Sequence, residues 1–271
     1  MFPSSGRTYL PTMRCVLVVP TYNEAATIGD LLEAIGTIRT GTLDAVIDVL
    51  VVDDNSPDGT QGVVSGHPGF GDWLHLLPRA SKDGLGAAYR AGFAAAVQDG
   101  YDVVVQMDAD GSHPASAVPF LLALLRTNDV AIGSRYVPGG RTENWPAQRR
   151  ALSWAANTYA RSVLRLRTRD TTSGFRAWRA EAIAAAGLLT TTSSGYGFQV
   201  ENTWRCERRG LHLVESPITF TERSAGTSKM SAGVAREAAL LVVRLRAREL
   251  ARAFTTATRW ASAPPKGAER A

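Results

Sequence analysis

The chain has 271 residues, 45% of them hydrophobic and 20% charged, and 30 Lys and Arg against 25 Asp and Glu give a formal net charge of +5. That apolar share excludes an intrinsically disordered chain, and the length suits one large α/β domain or two small ones. The basic balance points to anionic partners, without choosing among nucleic acid, an acidic membrane surface and phosphorylated substrates.

Residues 1–13 are rich in Ser, Pro and Gly and read as a flexible segment with no long apolar core, so no cleaved signal peptide is expected. Met13, directly before the first strand, is a candidate start. The apolar run 15–19 predicts a buried strand ending at Pro20. Over 24–38, Ile28, Leu31, Leu32, Ile35 and Ile38 keep helical spacing. Residues 46–52 predict a second strand, closed by the turn formers Asp53-Asp54-Asn55-Ser56-Pro57-Asp58-Gly59. A strand near 73–77 follows, and Gly84-Leu85-Gly86 opens an Ala-rich helix reaching about Gln98. The β-branched run 102–107 predicts a buried strand that delivers Asp108-Ala109-Asp110 at its end. A helix over 114–125 and a short strand over 130–132 complete a β-α-β-α alternation. That order predicts a mostly parallel sheet with helices on both faces.

The second half is less regular. A Gly/Pro loop spans 137–146, a helix 148–164, a polar then aromatic segment 170–178, a helix 196–209, a strand 211–220 and a polar loop 221–229. A last helix is expected over 232–254, and the tail with Pro264-Pro265 reads as disordered. No run reaches the ~18 apolar residues of a membrane span. Cys15 and Cys206, far apart and in no metal-type spacing, read as free thiols of a reducing compartment.

Four polar clusters follow apolar strands: Pro20-Thr21-Tyr22-Asn23-Glu24, Asp53 to Thr60, Asp108-Ala109-Asp110 and Gly133-Ser134-Arg135-Tyr136. In a parallel sheet these ends share one edge, where open α/β sheets bind ligands. The first two clusters can accept hydrogen bonds from a base and ribose hydroxyls. A lone Asp-x-Asp can be no more than an acidic turn. Among such neighbours, two carboxylates one residue apart suit a hard cation, Mg²⁺ or Mn²⁺, bridging a diphosphate. Gly84-Leu85-Gly86 lets backbone approach a ligand closely, but it is not a full dinucleotide fingerprint, and no phosphate loop is present. A metal-held nucleoside diphosphate carrying a group fits best.

At these residues the chain resembles the inverting GT-A glycosyltransferases, and more narrowly the polyprenol-phosphate (dolichol-phosphate) mannose synthases. The closer likeness continues in Asn144-Trp145, Arg149-Arg150, Asp170-Thr171-Thr172-Ser173-Gly174-Phe175-Arg176, Gly195-Tyr196-Gly197-Phe198-Gln199, Ile218 to Arg223 and Gly226 to Met230. It covers roughly 14–231. The resemblance implies a Rossmann-like GT-A domain there, a basic and apolar C-terminal helix over 232–256 and a tail over 257–271. It implies transfer of mannose from GDP-mannose to a polyprenyl phosphate with inversion, at the cytoplasmic face of a membrane.

Carried over by position, Pro20, Tyr22, Glu24, Asp53 and Asp54 would bind guanosine, and Gly84, Asp108 and Ala109 would line the same nucleotide. Asp108 and Asp110 would bind the metal. Many relatives carry Gln two positions after the second Asp; here Ser112 or water takes that place, and His113 packs or hydrogen-bonds. Arg149, Ser153, Arg223 and Lys229 would hold the acceptor phosphate, Arg135 would act on the donor side, and Arg150 reads as solvated surface. Asp110, Arg135, Arg149 and Arg223 form the expected catalytic set. Trp145, Trp154 and Phe175 either line a lipid path or sit in the core.

On the last helix, Leu240-Leu241-Val242-Val243 precedes Arg244, Arg246, Arg248 and Arg252. It reads either as a membrane-interface helix or as one packed on the domain with solvated charge. Some relatives continue into transmembrane helices here, so a separate integral membrane partner is an expectation. The rival enzyme reading moves glucose from UDP-glucose to a polyprenyl phosphate. A nucleic-acid module is disfavoured, because the basic residues lack interleaved aromatics and the strand ends are acidic.

Overall fold

The computed structural model describes residues 12–42, 44–193, 195–222 and 232–261. Its elements run β1 (Met13–Thr21), α1 (Ile28–Gly41), β2 (Ala45–Asp53), α2 (Thr60–Ser65), β3 (Leu74–Pro78), α3 (Leu85–Gln98), β4 (Val103–Gln106), α4 (Val118–Leu124), β5 (Val130–Ser134), β6 (Arg141–Glu143), α5 (Ala147–Leu164), β7 (Arg176–Arg179), α6 (Ala180–Ala186), α7 (Gly195–Arg208), β8 (Leu213–Pro217), β9 (Thr219–Thr221) and α8 (Ala232–Ala261). Single 3₁₀ turns occupy Ala115–Ala117 and Leu188–Thr190. The first strand therefore begins inside the segment expected to be flexible, and the last helix passes the expected end at 256.

The apolar runs become strands because their alternate side chains can be buried on both faces of one sheet. Cys15, Leu17, Val19, Val49, Val51, Val103 and Val105 face one layer with α1 and α4. Val16, Val18, Val52, Val104, Ile132 and Trp178 face the other with α3, α6 and α7. Cys15 and Cys206 lie in opposite layers and are both free thiols. A smaller cluster, Leu164, Leu166, Trp204, Val242 and Leu245, seats α8 against α5 and α7.

The main sheet has the order β3-β2-β1-β4-β7-β5-β8. Every pairing is parallel except those of β7, which is antiparallel to β4 and to β5. This reversal shapes the site. Arg176, at the start of β7, pairs in register with Gln106 and Ile132 near the ends of their strands. The loop 170–175 therefore joins the same edge as the C-terminal ends of β1, β2, β4 and β5.

The expected single strand over 211–220 is two strands. Pro217 has no N–H with which to continue the ladder. The chain leaves the main sheet there, and β9 pairs with β6 in a two-stranded sheet. The expected helix over 114–125 starts as the 3₁₀ turn and becomes α-helical only at Val118.

Candidate active site

Asp108 and Asp110 follow β4 at the centre of the sheet. Asp108 Oδ1 accepts a hydrogen bond of 2.8 Å from the Tyr89 hydroxyl, and the Asp108 N–H donates to His113 Nδ1 at 3.1 Å. Asp110 Oδ1 accepts from the Ser112 N–H at 3.1 Å across Gly111, whose φ of 73° favours glycine. Ser112 is buried, and its Oγ has no hydrogen-bond partner. A buried hydroxyl without a partner is costly. With the Asp108 and Asp110 carboxylates that hydroxyl would make up an all-oxygen donor set, a chemistry that fits a hard divalent cation. Among the described residues no group of three or more His, Cys, Asp or Glu could hold a metal. The protein would thus supply few ligands and leave the rest to water and phosphate, the usual habit of Mg²⁺ sites.

His113 is buried, its ring stacked on Phe175 at 5.1 Å and edge-on to Phe220 at 5.3 Å. Burial pushes its pKa down, outweighing the nearby Asp108 and Asp110 carboxylates. With Nδ1 accepting a hydrogen bond, the proton of the neutral ring is assigned to Nε2. The aromatic chain continues from Phe220 to Trp145 at 5.3 Å, and the Arg149 guanidinium lies 4.4 Å over the Trp145 ring. The acidic corner and α5 are thereby tied together through side-chain packing.

On α5, Arg149 pairs with Glu222 and Ser153 Oγ is 2.7 Å from the Tyr136 hydroxyl. Arg150 is exposed, as read. Trp145 and Phe175 are buried, whereas Trp154 is 60% exposed. Arg223 and Lys229 lie outside the described residues, as does the side chain of Arg252.

Arg135, read from the sequence as a catalytic, donor-side cation, is tied to Asp170. Its guanidinium is buried against Asp170, with Nε–Oδ2 at 2.8 Å and Nη2–Oδ1 at 2.7 Å, and it donates to Thr172 Oγ1 at 2.8 Å. Burial would raise the Asp170 carboxyl, but Arg135 outweighs it and holds the group below the usual carboxylate range. The pair staples the end of β5 to the 170–175 loop.

Asp53 is likewise committed within the protein. Its carboxylate, fully buried, accepts from Thr21 Oγ1 (2.8 Å), Ser56 Oγ (2.6 Å), the Ser56 N–H (2.9 Å) and Gln61 Nε2 (2.7 Å). It organises the loop expected to bind the nucleotide. Asp54 meets Arg79 Nη1 at 2.5 Å, and Arg79 also reaches Asp83 at 3.1 Å. The Pro20–Glu24 segment is knitted to the same loop: the Asn23 N–H donates to Ser56 Oγ and the Glu24 N–H to Thr60 Oγ1. Lys82 Nζ sits 3.8 Å over the Tyr22 ring. Gly84, with φ 89°, caps α3, and a Cβ at Gly86 would lie 2.4 Å from the Ser193 carbonyl oxygen.

The sheet, the aspartate pair at its central strand end and the knitted loops beside it define a glycosyltransferase of the GT-A class. Residues 16–186 match the model of Glycosyl transferase family 2, and the chain belongs to that family. It is 48% identical over 232 residues to an undecaprenyl-phosphate mannosyltransferase of Micrococcus luteus, covering 86% of this chain and 93% of that one. It is 45% identical over 234 residues to a polyprenol monophosphomannose synthase of Mycolicibacterium smegmatis, covering 85% and 86%. Among solved structures it is similar in fold to mannosyl-3-phosphoglycerate synthase from Rubrobacter xylanophilus, with TM-score 0.64, 18% identity and 90% and 75% of the two chains covered. Glucosyl-3-phosphoglycerate synthase from Mycobacterium tuberculosis in complex with Mn²⁺, UDP-glucose and phosphoglyceric acid has TM-score 0.63, 20% identity and coverage of 87% and 80%.

Proposed function

We propose that the protein transfers mannose from GDP-mannose to a polyprenyl monophosphate with inversion, giving a polyprenyl phosphomannose and GDP. The observation that carries this reading is the pairing of an oxygen-rich corner, Asp108, Asp110 and Ser112, with the α5 ledge of Arg149 and Ser153 through His113, Phe220 and Trp145. The names of the Micrococcus and Mycolicibacterium relatives support the sugar and the lipid acceptor.

The nucleophile is an acceptor phosphate oxygen, already anionic at neutral pH. It attacks the anomeric carbon from the face opposite the diphosphate, the bond to the leaving phosphate oxygen breaks, and no general base is required. Mg²⁺ or Mn²⁺ held by Asp108, Asp110 and Ser112 would neutralise charge on the leaving diphosphate. Arg149 and Ser153, together with Arg223 and Lys229, bind and orient the acceptor phosphate. Arg135 serves by holding the 170–175 loop. Pro20, Tyr22, Glu24, Asp54, Gly84 and Ala109 form the nucleotide cradle, with Asp53 as its internal brace.

The acceptor is a lipid, yet among the described residues no helix is long and apolar enough to cross a membrane. Contact with the cytoplasmic membrane surface through α8 supplies it, alone or with an integral membrane partner.

Transfer of radiolabelled mannose from GDP-mannose to a short polyprenyl phosphate tests the reading, with Mg²⁺, Mn²⁺ or EDTA. Metal-dependent label in the organic phase is expected. Label only from UDP-glucose would transfer the reading to the glucosyl sister activity, and silence with every nucleotide sugar would overturn it.

A further inference from the structure

Tyr89 lies one turn into α3 and comes to the end of β4 from the neighbouring layer. It is fully buried, its ring parallel to Phe198 (5.9 Å, 3°) and tilted against Phe93 (5.9 Å, 42°). The start of α3 is fixed by the left-handed Gly84 and by Gly86, which has no room for a side chain against the Ser193 carbonyl. The ring is therefore locked in place and direction, and its hydroxyl ends 2.8 Å from Asp108 Oδ1. A Cβ built at Gly174 would stand 3.3 Å from Asp108 Oδ2 and 3.6 Å from Oδ1. The terminal torsion of an aspartate is broad and two-fold, so its direction is set by what surrounds it. Here a rigid phenol and a bare glycine contribute to it.

We propose that Tyr89 is a positioning residue for the metal site, its hydroxyl clamping the Asp108 carboxylate in the orientation that receives a divalent cation, with Gly174 providing the clearance. This rests on the reading of Asp108 and Asp110 as metal ligands. Losing a group that holds a ligand carboxylate by hydrogen bonding typically costs about 10–100-fold in metal affinity or activity. The contribution is one of pre-organisation: the Tyr89 hydrogen bond orders the carboxylate before the cation arrives.

The test is titration of the full-length protein with Mn²⁺ in the presence of GDP, reading unbound Mn²⁺ by its EPR signal, with no sugar donor present. Wild type, Tyr89→Phe, Gly174→Ala and Asp110→Ala are compared. Tyr89→Phe keeps the ring stack, so its melting temperature and near-UV circular dichroism should match wild type while Mn²⁺ affinity falls about 10-fold. Gly174→Ala, which crowds the same carboxylate without touching α3, should weaken affinity in the same direction. Transfer by Tyr89→Phe should recover at saturating Mn²⁺, as expected of a residue that positions rather than reacts. Wild-type affinity in Tyr89→Phe, with wild type itself binding and Asp110→Ala not, overturns the clamp alone. A wild-type protein that leaves the Mn²⁺ signal untouched overturns the metal reading and the clamp with it.

Discussion

Ser112 separates a structural hydroxyl from a ligating one. Its Oγ is buried without a partner, so the apo fold gains nothing from it, and replacing an unpaired polar group with a methyl-sized one is neutral or stabilising. Ser112→Ala should leave the melting temperature unchanged or slightly raised while weakening Mn²⁺ binding; a thermal shift with and without Mn²⁺ reads both. Asp110→Ala should lower transfer by about 10³-fold or more, measured as single-turnover mannose transfer. Near-normal rates would remove Asp110 from the site. Asp170 behaves differently, because its removal strands a buried guanidinium. Asp170→Asn should cost about 3–5 kcal/mol in urea unfolding. Its folded pKa is depressed, so the Arg135 pair stabilises fully above the unfolded carboxylate value of about 3.9 and fades as pH falls through the lower folded value. Wild type should therefore keep this contribution down to about pH 4, and Asp170→Asn should flatten that part of the stability profile. The aspartate pair was readable in the sequence because its two members are separated by one residue and follow an unmistakable buried strand. Tyr89 and Asp108, Arg79 and Asp54, and Arg135 and Asp170 are 19, 25 and 35 residues apart. No local pattern announces such pairs, and the Arg135 bond to Asp170 was therefore not legible in the sequence.

At the scale of elements, periodicity carried far where one force dominated. The runs at β1, β2 and β4 are apolar on both faces and could be little else, and α1, α3 and α5 keep a helical stripe. The reading weakened where the partner rather than the segment decides. β7 is four residues, Arg176–Arg179, and its antiparallel course is set by the sheet gap between β4 and β5. The division of 211–220 at Pro217 depends on β6, which offers β9 a second partner. The entry to α3 belongs to this scale, since helix and nucleotide cradle share it. At Gly86 a side chain would meet backbone, the Ser193 oxygen at 2.4 Å, and backbone cannot turn aside as a side chain can. Gly86→Val should destabilise by about 1–3 kcal/mol and weaken GDP binding together, as read by the urea midpoint and by calorimetric titration. A variant that unfolds at the wild-type midpoint would show that α3 shifts without cost.

For the whole molecule the question is how a chain whose described residues include no spanning helix meets a lipid. α8 buries Val242 and Leu245 against α5 and α7, so one half of the sequence reading, a helix packed on the domain, holds for that face. Its other face leaves Leu240, Val243 and Leu250 about half exposed, with Arg244 and Arg248 also exposed. Apolar side chains that can enter a headgroup layer, beside guanidinium groups that can pair with its phosphates, are the two contributions an interfacial helix needs. The formal charge of +5 adds long-range attraction to an anionic surface. Each Arg near such a surface is worth about 1 kcal/mol, so Arg244→Gln with Arg248→Gln should weaken binding to phosphatidylserine-containing vesicles by roughly 30-fold at low salt. At about 1 M salt, where the Debye length falls to about 3 Å, the difference between variant and wild type should largely close. The same substitutions should leave GDP affinity unchanged, because Arg244 and Arg248 are exposed and belong to none of the loops of the nucleotide cradle. Vesicle flotation read in parallel with GDP titration separates the outcomes. Equal flotation of variant and wild type would mean that Arg244 and Arg248 are not what holds the protein to a lipid surface.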